Sequence, residues 1–235
     1  MKILAVDSAC ATAAVCVADD NRLVAEYTLQ SGNTHSETLL PMIEAVIRHA
    51  GITADDIDLF AAVTGPGSFT GVRIGVSTVK GLAFGRGKPC VGVSTLESLA
   101  RNLEICEGIL CPVMNARRNQ VYTAIFRSDG KKVTRLTDDS AISVEELLVR
   151  LAEYRNEKIY FCGDGYTLVK SQEDGKIKSE ETPERLRHNS AFSAALAALD
   201  KYTSGEFTTD ANLGVTYLRP SQAERERNEK LKEKI

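Results

Sequence analysis

The chain has 235 residues, with 29 Lys and Arg against 32 Asp and Glu, a formal net charge of −3 and an isoelectric point near 5.7. That balance argues against a chain that grips nucleic acid by itself, because phosphate binding is carried by a basic surface. A hydrophobic fraction of 43% beside 26% charge fits a globular chain that buries a real core, in one large domain or two small ones.

Six cysteines are present, Cys10, Cys16, Cys90, Cys106, Cys111 and Cys162, with no C-x-x-C pair among them. Neither a disulfide framework nor zinc spacing is visible, so reduced thiols and a cytoplasmic setting are expected. Lys2 followed by an apolar run resembles a secretory leader, but Asp7 interrupts it and alternation continues through Val15 and Val17. A strand fits that pattern better. No window offers 18 uncharged apolar residues, so no transmembrane helix and no membrane partner are expected.

In chain order, Lys2 to Asp7 reads as a strand. Ala13 to Ala18 is a second, turned by Asp19-Asp20-Asn21 into a third over Arg22 to Leu29. Thr34-His35-Ser36-Glu37 is a capping box, Leu39, Leu40, Ile43, Val46 and Ile47 continue at helical spacing, and Gly51 stops the helix. Asp58 to Val63 is a buried strand. Gly65-Pro66-Gly67 is then a turn, and an apolar helix runs to about Phe84 carrying Gly71, Gly75 and Gly81. Pro89 to Val93 is a strand, and Ser94 caps a helix through about Leu103.

The pattern then restarts. Ile109 to Met114 and Gln120 to Phe126 read as strands, and Ser128-Asp129-Gly130 turns the second into a third at about Lys132 to Leu136. A helix capped by Ser143 and Glu146 runs to about Tyr154, Ile159 to Cys162 is a strand, and Ser190 to Tyr202 is a helix. Both halves read βββαβα, which predicts an α/β protein of two duplicated lobes with mixed sheets. The expected division is an N-terminal lobe over 1–104, a C-terminal lobe over 105–221 and a charged helical tail over 222–235.

A duplicated βββαβα unit resembles the actin, sugar kinase and Hsp70 ATPase superfamily. Within it, several strings resemble the TsaB (YeaZ) family: Ile3-Leu4-Ala5-Val6-Asp7-Ser8, His35-Ser36-Glu37-Thr38-Leu39-Leu40-Pro41, Asn115-Ala116-Arg117-Arg118-Asn119-Gln120-Val121-Tyr122 and Tyr217-Leu218-Arg219-Pro220. The most specific is Gly65-Pro66-Gly67-Ser68-Phe69-Thr70-Gly71-Val72-Arg73-Ile74-Gly75. The resemblance implies a role in making N6-threonylcarbamoyladenosine, a modified base beside the anticodon of tRNAs. It implies a non-catalytic subunit that binds a paralogous transferase, TsaD, through helices of the N-terminal lobe. A small ATPase, TsaE, would join the assembly, and tRNA would be reached through the complex.

The expected contact surface is the pair of N-terminal-lobe helices, with His35, Leu39, Ile43, Val46, Val72, Arg73, Gly75, Val76 and Val79 as its residues. Each glycine inside a helix costs about 1 kcal/mol relative to Ala. Gly71 and Gly75, one turn apart, would let another backbone approach. The same face would serve a homodimer when the paralogue is absent.

Asp7 and Asn115 fall where the superfamily organises the metal and phosphates of ATP. Asn115 stands where related sequences carry Asp, and an amide cannot supply the anionic ligand that Mg²⁺ prefers. Asp7 therefore reads either as a vestige of a nucleotide site or as a turn carboxylate. The resemblance also places Thr95 and Leu99 where the paralogue has a metal-binding His pair. His35 and His49 lie fourteen positions apart on one helix, about 21 Å, too far to share an ion. No catalytic residue, no metal and no cofactor tightly bound by this chain alone are expected. The rival reading is an ATP-dependent phosphotransferase or a metallopeptidase of the same superfamily.

Overall fold

The computed structural model describes residues 1–173, 175 and 177–219; the charged stretch expected to form a helical tail lies outside them. The first sheet forms around β1 (Lys2–Asp7), β2 (Ala13–Asp19) and β3 (Arg22–Leu29), an antiparallel meander. β1 and β2 are buried along nearly their whole length, as strands covered on both faces must be. The helix α1 (His35–His49) leads to β4 (Leu59–Gly65), α2 (Phe69–Ala83) leads to β5 (Cys90–Ser94), and both strands add in parallel beyond β1. The strand order is β3-β2-β1-β4-β5.

Local sequence explains where these helices start. Thr34 Oγ1 donates to Glu37 Oε2 at 2.9 Å in a capping box, and Ser68 Oγ accepts the Gly71 N–H at 3.2 Å. Ser94 caps α3 (Thr95–Arg101) by accepting from Leu96 and Glu97.

The second sheet is built on β6 (Gly108–Asn115). β7 (Gln120–Thr123) and β8 (Phe126–Ser128) pair antiparallel with opposite ends of it. The sequence suggests one strand from Gln120 to Phe126, because no Gly, Pro, Asn, Asp or Ser interrupts it. It is two strands because Leu136 and Thr137 capture the backbone of Ile125. β9 (Val133–Arg135) pairs with β8, and β10 (Ser140–Ser143), too short and polar to read in sequence, pairs with β7. α4 (Val144–Leu151), β11 (Ile159–Cys162), α5 (Tyr166–Lys170) and β12 (Ser179–Glu180) complete the lobe, with β11 parallel to β6.

α6 (Ala191–Thr203) corrects the expected boundary between lobes. Sequence order places it in the second lobe, yet Ala194, Ala195, Ala197 and Ala198 join the core of the first sheet. In exchange, Leu96, Leu99 and Leu103, at the end of the first lobe, pack with Leu110, Met114 and Phe126 of the second. Small side chains on α6 let it lie close against β1 and β2. The chain then stays with the first lobe: Thr208 and Cys90 exchange backbone bonds at 2.8 Å, and Thr216 N–H donates to Thr64 O at 2.8 Å.

Candidate functional site

A cleft of about 960 Å³ lies between the lobes. One wall carries His35, Ser68 and Phe69 from the N-termini of α1 and α2; the other carries Asn115, Arg117 and Asp164. Tyr217 and Arg219 close one side. β1 and β6 deliver Asp7 and Asn115 to equivalent positions because each ends the central strand of its sheet.

Asp7 is fully buried. Its Oδ1 accepts the Ala9 N–H at 3.0 Å and its Oδ2 accepts Asn189 Nδ2 at 2.6 Å. Burial pushes its carboxyl up to about 6, against the opposing pull of those two hydrogen bonds and of His35. Asn115 is exposed; its Oδ1 accepts the Arg117 N–H at 2.9 Å and its own N–H donates to Asp164 Oδ1 at 2.8 Å. Both residues thus shape turns. His35 is half-buried and tied through Nε2 to Cys10 O at 2.7 Å. Thr95 and Leu99 are fully buried in α3. Burial raises the Cys10 and Cys16 thiols well above the ordinary range; Cys16 is sealed in the core, whereas Cys10 is half-buried and lines the cleft.

The contact residues expected on the two helices need correction. Leu39, Ile43, Val46, Val72, Val76 and Val79 are all buried in the core of the first sheet. Helical spacing found the apolar stripe, and in an amphipathic helix that stripe faces its own core. Gly75 belongs inside as well: a Cβ there would sit 2.3 Å from Ser8 Oγ, and one on Gly71 would sit 2.2 Å from Ser8 O. The close approach these glycines permit is to the β1–β2 turn. The outward surface consists of Leu40 (48% exposed), Pro41 and Glu44 on α1, with Arg73, Ser77, Gly81 and the exposed Phe84 along α2.

Of the expected contact residues, Arg73 alone is fully on the surface. Its guanidinium lies 3.9 Å from the centroid of Phe69, and its Nε donates to Tyr217 Oη at 2.6 Å. The Phe69 and Tyr217 rings stack at 4.6 Å. This joins α2 to the returning segment, which nothing in the local pattern around Arg73 announces.

Comparison with known proteins agrees with this architecture. The family model for TsaD, tRNA N6-adenosine threonylcarbamoyltransferase, matches residues 26–221. The tRNA threonylcarbamoyladenosine biosynthesis protein TsaB of Bacillus subtilis strain 168 is 31% identical over 170 residues, covering 72% of this chain and 74% of that one. The chain belongs to the TsaB (YeaZ) family. A transferase from Erythrobacter litoralis also matches, at 32% identity over 124 residues, but over only 36% of its length. The solved structure of YeaZ from Pseudomonas aeruginosa superposes with a TM-score of 0.78 at 23% identity, covering 92% of this chain and 99% of that one. The two mixed sheets with their covering helices share the fold of that YeaZ structure.

The nucleotide–Mg²⁺ group that the superfamily resemblance implies would find Asp7 closed to it in this TsaB-family cleft. Both Asp7 oxygens are engaged and shut from solvent. The N–H of Ser68, the N-cap of α2, is spent on Ala9 O at 2.7 Å. Among the described residues, no three His, Cys, Asp or Glu side chains gather as a metal site. Nor is any described helix long and apolar enough to cross a membrane. Sequence reasoning missed Asn189 as the partner of Asp7, because that contact joins positions far apart in the chain.

Proposed function

We propose that this chain is a non-catalytic accessory subunit in the formation of N6-threonylcarbamoyladenosine in tRNA. In this reading it acts in the cytoplasm, binds a TsaD-type transferase and works with a TsaE-type ATPase. The observation that carries the proposal is the state of Asp7. The acid that would organise chemistry in the cleft is buried and doubly hydrogen-bonded, so it holds a turn and ties β1 to the start of α6. Family membership supplies the pathway.

The contact surface in this reading is the outer face of α1 and α2. Ser77 and Gly81, one turn apart and exposed, leave room for a partner helix, flanked by Leu40 and Phe84 as apolar anchors. A second copy of the chain would use the same face. The rival phosphotransferase or metallopeptidase reading finds no support in a sealed Asp7 and an amide at Asn115.

The test is reconstitution. The chain, the transferase and the ATPase are purified and combined with tRNA, each component being omitted in turn. Co-purification of chain and transferase is expected, with product lost when either is left out. Product from this chain without the transferase would overturn the reading.

A further inference from the structure

The cleft mouth carries a group of cations that the accessory-subunit reading leaves unused. Arg117, Arg118 and Asn119 follow β6 with φ of 64°, 52° and 57°. Three consecutive side-chain-bearing residues in the left-handed region form a strained turn that must be held in place. It is held from three sides. Arg219 donates to Ala116 O at 3.3 Å and to Gln120 Oε1 at 2.5 Å. The Asn119 and Gln172 amides exchange hydrogen bonds at 3.2 and 2.7 Å, and Val144 N–H donates to Asn119 O at 3.2 Å. The product of this bracing is a rigid turn presenting two exposed guanidinium groups.

Among the described residues, no carboxylate lies within ion-pair distance of Arg73, Arg117, Arg118 or Arg219; Arg48, Arg155 and Arg185, which do not line the cleft, are also without one, while Arg22, Arg86, Arg101, Arg127, Arg135, Arg150 and Arg187 all have one. In a chain of net charge −3, cations left unneutralised around one cleft mark a local anion site. Arg73 and Arg219 ride over aromatic rings, Phe69 and Tyr122, and Arg219 turns both terminal nitrogens onto Ala116 O and Gln120 Oε1, so it positions the turn and leaves anion contact to Arg117 and Arg118.

The depth of the cleft decides which anion. Its inner end is closed: Asp7 is capped, and the loop before α2 has turned its Ser68 N–H onto Ala9. Asp7, at the end of β1, is therefore not open to the metal of a buried triphosphate. The cations lie at the rim, where a strand can pass across them. We propose that the Arg117–Asn119 turn, with Arg219 as its positioning residue, binds the phosphodiester backbone of an RNA running over the cleft mouth. The proposal rests on the accessory-subunit reading and locates tRNA contact on the second lobe. A few phosphate contacts suit a subunit that adds to an RNA site completed by its partner.

The test measures affinity for an unmodified tRNA transcript by fluorescence anisotropy at 50 to 200 mM salt, using the chain alone and the chain with its transferase. Arg117→Glu/Arg118→Glu is compared with Arg117→Lys/Arg118→Lys. Lys131→Glu/Lys132→Glu, at the opposite end of β6, is the control. The double glutamate variant is expected to bind about tenfold more weakly at low salt, with a salt slope shallower by about 1.5. The lysine variant should stay within a few-fold of the parent, because phosphate contact needs charge above geometry. Arg118→Glu alone serves if the double variant fails to fold.

Unchanged affinity and slope in the glutamate variant, with the complex formed, would overturn the RNA assignment and leave the accessory role standing. Failure of the parent chain to bind the transferase would overturn the accessory role, and the chain-alone titration would still judge the arginines. A parallel titration with ATP supplies the last arm: loss of ATP binding in the glutamate variant, with tRNA binding intact, would replace RNA with a free nucleotide.

Discussion

Asp7 Oδ2 and Asn189 Nδ2 meet at 2.6 Å across 182 positions of sequence. The bond ties the end of the first strand to the residue before the cap of α6, and both side chains are buried. Burial raises the Asp7 carboxyl from 3.8 to about 6. The native state therefore holds a proton that the unfolded chain has already lost between those values. The sign follows: this group's contribution is greatest below pH 4 and is lost as pH rises through 6, for a total of about 3 kcal/mol. Urea unfolding of Asp7→Asn should show a flatter pH profile than the parent between pH 4 and 7. Parallel profiles would mean that another group governs stability in that window.

The glycines of α2 separate inside from outside. Gly71→Ala places a methyl against Ser8 O, a backbone atom that cannot swing away, and should cost about 1–3 kcal/mol. Gly81 has nothing within 4 Å of its would-be Cβ, so Gly81→Ala should gain up to about 1 kcal/mol from helix propensity. Thermal melting of the isolated chain checks both. A Gly71→Ala variant as stable as the parent would contradict the packing against the β1–β2 turn.

Partner binding should depend on the outward face of the same helices. Gly81→Leu and Leu40→Glu are expected to leave the melting temperature near the parent's and to weaken the complex with the transferase by about tenfold or more, roughly 1.4 kcal/mol. Leu39→Glu, one position from Leu40 but fully buried, should instead unfold the chain. Equal transferase affinity for Gly81→Leu and the parent would place the interface elsewhere.

Much of this architecture is written locally. The capping residues Thr34, Ser68, Ser94 and Ser190 mark helix starts because a side-chain oxygen three residues ahead of a free N–H is a short-range device. The alternation read through Val15 and Val17 does not survive, because β1 and β2 are covered on both faces. What sequence could not show is direction. The spacing of Leu39, Ile43 and Val46 is the same whether the stripe meets its own sheet or a partner, and only the packed fold reveals that it meets the sheet. The Asp7–Asn189 tie, the Arg73–Tyr217 bond and the bracing of Arg117 by Arg219 are long-range. Each joins residues whose neighbours carry no trace of the other.

The Arg73–Tyr217 pair yields a further expectation. Arg73→Lys keeps a charge but loses the planar stack on Phe69 and the Nε donor, worth about 1 kcal/mol together at an exposed site. The segment ending at Arg219 should open more often. Hydrogen exchange at the Thr216 N–H, which donates to Thr64 O, should accelerate about fivefold. Unchanged exchange would show that Lys80, which donates to Ala211 O and Leu213 O, is sufficient to hold the segment.

The exchange of α3 and α6 between the sheets has a consequence for synthesis. While only residues 1–104 have left the ribosome, the first sheet has α1 and α2 on one face and bare alanine- and valine-rich strands on the other. That face stays wet until Thr203 emerges, about a hundred residues later, and α3 meanwhile waits for β6 and β11. Neither half of this duplicated chain is a unit that a nascent polypeptide can finish first. The repeat is visible in the order of its strands, yet the protein reaches its native state only as a whole.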